Sequence, residues 1–116
     1  MINEAKSITH QIPELLHTLE VTLRSGYNIS QSLEIVNKDL AEPIATEIQH
    51  VLAEVEAGTS WLTALDNWFN RCPSFELDML VATMHEQMES GGNLANKLQF
   101  IAQLLPKLKR IGWSGN

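Results

Sequence analysis

Residues 91–98 read GGNLANKL, and the same grammar occurs twice earlier, as GYNISQSL at 26–33 and GTSWLTAL at 58–65. Each copy runs glycine, any residue, a residue that can cap a helix, an apolar residue, three more positions, then leucine. The leading glycines are Gly26, Gly58 and Gly91, and the caps are Asn28, Ser60 and Asn93. Glycine ends a helix by entering the left-handed conformation that other residues avoid. Asn or Ser then starts the next helix by accepting one of its unpaired backbone N–H groups. Gln31, three residues after Asn28, stands where it could complete a capping box. A glycine-rich loop that cradles phosphate would occur once, after a strand, with a lysine set on the phosphates. A turn that occurs three times with no strand before it reads instead as a helix-to-helix connection.

The stretches between these turns carry apolar residues at helical spacing. Six stripes result: Ile8 to Leu23, Ile29 to Leu40, Ile44 to Val55, Trp61 to Phe69, Leu77 to Met88, and Leu94 to Leu108. Each reads as the core-facing side of a helix, with Trp61 and Trp68 inside. Pro43 suits the first turn of the third helix. Pro73-Ser74 followed by Glu76 and Asp78 opens the fifth. Pro106 falls late in the sixth, where proline kinks or ends a helix. The expected helices are 8–25, 29–41, 43–57, 60–70, 74–90 and 93–110. The expected fold is all-α, a six-helix bundle of three consecutive helical hairpins. One domain spans 8–111, with 1–7 and 112–116 as flanking tails; Trp113 either leads into a further segment or belongs to that tail.

Composition agrees with this reading. A chain of 116 residues with 44% hydrophobic and 19% charged residues has enough apolar material for one core. The net charge of −6 argues against a nucleic-acid partner, which calls for a basic face. All 14 acidic residues lie in 1–89, whereas 90–116 holds no acid and four bases: Lys97, Lys107, Lys109 and Arg110. One cysteine, Cys72, cannot form an internal disulfide, which fits a reducing compartment. No apolar run approaches the ~20 residues of a membrane span, and no stretch is expected to act as a signal peptide.

Reactive groupings are sparse. His10, Glu14 and His17 share the polar side of the first helix at spacings that could hold a metal ion, but no HExxH motif or fourth ligand accompanies them. His85 and Glu89 are a thinner version of the same pattern, and His50 stands alone. Cys72 sits in RCPS, which is no protease signature. No acids are paired for general acid–base work. The expectation is no catalytic residue, no metal and no cofactor.

The stretches IPELLHTLEVTLRSGYNISQSLEIV (12–36) and LAEVEAGTSWLTALDNWFNRCPSFELDMLVATMHEQMESGGNLANKLQFIA (52–102) resemble the type II secretion system F domain. The motifs that carry the likeness are LRSGYNISQSLE, EAGTSWLTALDNW, PSFELDMLV and ESGGNLANKL, in that order, and it extends over residues 11–111. The nearest likeness is to the TadB-like platform proteins of Tad (Flp) pili. PKLKRI departs from the pattern, since relatives are often more arginine-rich there. The resemblance implies the cytoplasmic domain of a bacterial inner-membrane platform protein, flanked in the longer chain by transmembrane helices. It implies work in type II secretion or pilus assembly, coupling a secretion ATPase to pilin assembly. Its partners would be that ATPase, other platform components and further copies of itself. Lys107, Lys109 and Arg110 would then precede a membrane segment, where positive residues collect on the cytoplasmic side.

Two other classes stand beside that reading. A soluble helical-repeat adaptor for peptides or proteins would suit the period of 32–33 residues, close to the ~34 of tetratricopeptide repeats. The W-x2-L-G-x2-Y pattern is missing, however, and the helices are unequal. A metal-dependent hydrolase rests only on His10, Glu14 and His17. If the hairpins alternate up and down, the three turns share one end of the bundle. Arg24, Glu56 and Glu89 each lie two residues before their glycine. With Tyr27 and Glu54, they are the candidate partner-binding residues.

Overall fold

The computed structural model describes residues 4–112, and Trp113 lies outside them. Six α-helices follow in order: α1 (Glu4–Arg24), α2 (Ile29–Asn37), α3 (Ile44–Glu56), α4 (Trp61–Arg71), α5 (Phe75–Ser90) and α6 (Leu94–Arg110). The all-α bundle expected from the stripes is what forms. Each helix packs on its neighbours in sequence, and α6 closes the ring by packing along α1, which also touches α5. That closure separates the fold from a repeat solenoid, in which each unit touches only adjacent units.

The core collects the stripes. Ile8, Ile12, Leu15 and Leu16 of α1 are buried with Ile44 and Ile48 of α3, Trp68 of α4, Leu77 of α5 and Leu98 of α6. Trp61 is half-buried against this cluster rather than inside it. Met88 does not belong to it at all, being 69% exposed. It closes the fifth stripe at the very end of α5, beyond the point where neighbours can cover it.

The largest departures from the expected boundaries fall at two places, the start of α1 and the end of α2. α1 starts at Glu4, so the flanking tail ahead of residue 8 is partly helical. α2 stops at Asn37, four residues before the expected 41. The bonds Lys38 N–H to Ile35 O and Asp39 N–H to Val36 O tighten its last turn. Leu40 still reaches the core from the connecting segment. Pro43, which disfavours helix in the residue before it, then occupies the N-cap position of α3 rather than its first turn. Pro106 does not end α6, which runs on to Arg110.

Candidate docking surface

The three glycine turns use two chemistries. Gly26 and Gly58 hold φ of 101° and 108°. At the first, Tyr27 N–H bonds Thr22 O and Gly26 N–H bonds Leu23 O; at the second, Thr59 N–H bonds Glu54 O and Gly58 N–H bonds Val55 O. Both are Schellman turns, which satisfy the last carbonyls of a helix with the backbone just past it. Asn28 accepts from Gln31 N–H at 2.8 Å and the Gln31 side chain accepts from Asn28 N–H, closing the capping box. Ser60 accepts from Thr63 N–H, and Asn93 from Asn96 N–H.

The third turn carries two left-handed glycines, Gly91 (φ 68°) and Gly92 (φ 97°), and lacks the backbone bonds of the other two. Side chains close it instead. Gln87 Nε2 donates to Gly92 O at 2.9 Å, and Lys97 Nζ donates to Gly91 O at 2.5 Å. Lys97 also pairs with Glu86 at 2.5 Å. A lysine does stand at the glycine pair, then, but its charge is spent on Glu86 and a carbonyl.

Arg24 fixes where two of the turns lie. Its guanidinium pairs with Glu20 at 2.9 Å and donates to Asn96 Oδ1 at 3.0 Å and Gln99 Oε1 at 3.3 Å. The C-terminal end of α1 and the N-terminal end of α6 therefore lie side by side, and with them the first and third turns. α3 starts beside the other end of α1. There Gln11 Oε1 accepts from Ile44 N–H at 3.0 Å, while Gln11 Nε2 donates to Ala41 O at 2.9 Å. Glu42 adds a bond from Thr46 N–H at 2.7 Å. Nothing in the local sequence of α3 signals its dependence on Gln11, which lies 33 residues earlier.

The candidate contact residues differ in what they can offer. Tyr27, Glu56 and Glu89 are exposed. Glu56 and Glu89 form no ion pair among the described residues, and the last turns of α3 and α5 carry no base. They add negative charge where the helix dipole is already negative. Glu54 is committed inward: it accepts from Asn67 Nδ2 at 2.8 Å and lies 3.7 Å from Arg71, which also pairs with Glu47 at 3.0 Å. That network ties α3 to α4.

His10, Glu14 and His17 lie exposed along α1. No group of three or more His, Cys, Asp or Glu gathers in metal-binding geometry among the described residues. His85 meets Asp66 of α4 at 2.8 Å. His50 lies 4.0 Å from Glu47. Cys72 is buried.

A second surface was missed in the sequence. Met79, Ala82 and Thr83 of α5 face Phe100 and Ile101 of α6 across an open groove of about 460 Å³, with Glu86, Asn96 and Lys97 at one end. Phe100 is 64% exposed. The signal was available, since Phe100 stands off the stripe formed by Leu98, Ile101 and Leu105.

Comparison with known families decides among the three readings. Residues 15–111 match the family described as type II secretion system (T2SS), protein F. The chain belongs to that family. Type II secretion F proteins are non-enzymatic inner-membrane platform proteins of secretion and pilus machines. No curated protein and no solved structure matches the chain. No helix among the described residues is long and apolar enough to cross a membrane.

Proposed function

We propose that this F-type domain is the cytoplasmic bundle of a Tad-like pilus or type II secretion platform, and that its turn-bearing end docks the secretion ATPase. The folded unit corresponds to residues 8–111 together with the first turn of α1. The domain itself performs no catalysis and binds no cofactor; it transmits and positions. The observation that carries the reading is the family match over 15–111, joined to the unpaired acids at two glycine turns. Arg24 ties the first and third turns together, and α3 leaves from the opposite end of α1, so its Gly58 turn is assigned to the same end as the other two. Glu56 and Glu89 then present negative charge to a basic surface on the ATPase, with Tyr27 as an apolar contact beside them. Such complementarity mainly speeds encounter and sets specificity. Arg24 holds the end together, and Glu54 supports Glu56 from the α3–α4 network.

The test is charge reversal in cells. Glu56→Lys with Glu89→Lys, placed in the full-length platform protein, is expected to cut pilus assembly or secretion while protein abundance stays constant. Undiminished assembly in that double variant would rule out this end as the docking surface.

A further inference from the structure

The turn at Gly91 differs from the other two in what keeps it shut. At Gly26 and Gly58 paired backbone bonds fix the chain past the helix end, and those bonds involve no charged group. At the third turn the backbone contributes Gly91 N–H to Gln87 O, at 2.8 Å, and stops there. Gly91 and Gly92 both sit in the left-handed region, and successive glycines leave the backbone its widest choice of conformation. What holds this pair is therefore the grip on its two carbonyls, by Lys97 on Gly91 and by Gln87 on Gly92.

Lys97 makes two of these contacts from one group. A Cβ built on Gly92 would lie 3.6 Å from Lys97 Cε and Nζ, so the end of the lysine lies across the turn. A lysine ammonium carries several N–H donors. This one donates to Gly91 O and to Glu86 Oε2, each at 2.5 Å. α5, the turn and α6 thus meet on a single charge, and both bonds are lost together when that charge leaves. The pair is accessible, with the Lys97 side chain 25% exposed and that of Glu86 51%, so salt and competing ions reach it. Asn96, beside Lys97, is held separately by Arg24 of α1 at 3.0 Å, which anchors the start of α6 without Lys97.

We infer that Lys97 is a latch on the α5–α6 turn, closed while its ammonium bridges Glu86 and the Gly91 carbonyl and open when either charge is engaged elsewhere. Opening frees residues 90–93, and with them Asn93, whose side chain caps α6 by accepting from Asn96 N–H at 3.0 Å. It also parts the charged pair that stands at one end of the α5–α6 groove. A cationic group arriving beside Glu89 would compete with Lys97 for Glu86, and by binding the open form better it would shift the turn toward that form. This coupling rests on the docking end proposed above. The latch itself does not, and it is read in the isolated chain.

Amide hydrogen exchange and backbone relaxation, measured by NMR on the 116-residue chain, test it. Lys97→Met keeps most of the apolar stem and removes the ammonium. It is expected to speed exchange at Gly91 and Asn96 by about tenfold or more, the effect of losing charge-assisted bonds, and to raise the mobility of Gly92 and Asn93. Gly26, Tyr27, Gly58 and Thr59, in the turns closed by backbone, should keep their wild-type rates. Glu86→Gln spares the bond to Gly91 O and should act in the same place with a smaller effect. In the wild type, raising salt from about 0.05 M to about 0.5 M should move the third turn toward the Lys97→Met rates and leave the other two alone. Wild-type exchange at Gly91 and Asn96 in Lys97→Met would overturn the inference, as would a third turn indifferent to salt. Faster exchange spread equally over all three turns would overturn it too, because that is a general loss of stability and not the release of one turn.

Discussion

Gly58 has φ of 108°, and a Cβ built on it would meet nothing within 4 Å. The constraint at that position is therefore backbone conformation rather than crowding. Gly58→Val is expected to lower stability by about 1–2 kcal/mol in urea denaturation, since an L side chain pays to enter the left-handed region. A loss below measurement error would mean the turn relaxes into another conformation. The glycines at 26 and 58 were legible because the motif alone states both the left-handed position and the cap that follows. The Gly91 turn was only half legible. Its second glycine looked like part of the same motif, whereas Gln87 and Lys97 do the closing work that the backbone does elsewhere. Ser32 is a different case at this scale. It is fully buried in α2, and its hydroxyl has no hydrogen-bond partner among the described residues. Ser32→Ala should raise stability by roughly 0.5 kcal/mol, the difference in helix propensity alone, with any further gain from removing a buried hydroxyl. Calorimetric Tm is the measurement, and a fall in Tm would point to a role for the hydroxyl that its surroundings do not suggest.

Among the elements, α3 is the one whose start depends on a partner. Gln11 accepts the Ile44 N–H and donates to the Ala41 carbonyl, so one side chain of α1 holds both sides of the α2–α3 junction. Gln11→Ala is expected to cost about 1–2 kcal/mol, because it leaves a half-buried N–H and a carbonyl without their bonds. Hydrogen exchange should localise the loss to the first turn of α3 and the residues before it. Protection that falls uniformly over the bundle would contradict the local role. Helix number and type were legible because each apolar stripe is long and each turn carries its own chemistry. The end of α2 was not. Leu40 continues the apolar spacing, and only the tightened bonds after Ile35 and the proline at 43 show that the chain leaves the helix while keeping that leucine buried. Met88 exposes the same limit: spacing alone cannot tell a residue that meets a neighbour from one that meets solvent.

Across the whole molecule, closure of α6 on α1 is the feature on which the rest depends. It brings the first and third turns together through Arg24 and encloses a core around Trp68, which is 1% exposed. Trp68→Ala should remove about 3–5 kcal/mol, enough to unfold a domain of ordinary marginal stability at moderate temperature. A folded variant with an unchanged Tm would mean that α4 is dispensable to the core. The closed topology was not legible from periodicity, which fixes faces and not partners. The expected docking residues were legible only as charges near turns. Their surroundings sort them into exposed acids at 56 and 89, a bracing arginine at 24, and an acid at 54 already bound to α4. The most direct test of the account is equilibrium binding between this chain and the purified secretion ATPase of the same cell, measured across a salt series. The account predicts saturable binding that weakens as salt rises, and a Glu56→Lys, Glu89→Lys variant that binds more weakly at low salt while retaining its helical spectrum. Absence of binding, or equal affinity for wild type and variant at low salt, would contradict it.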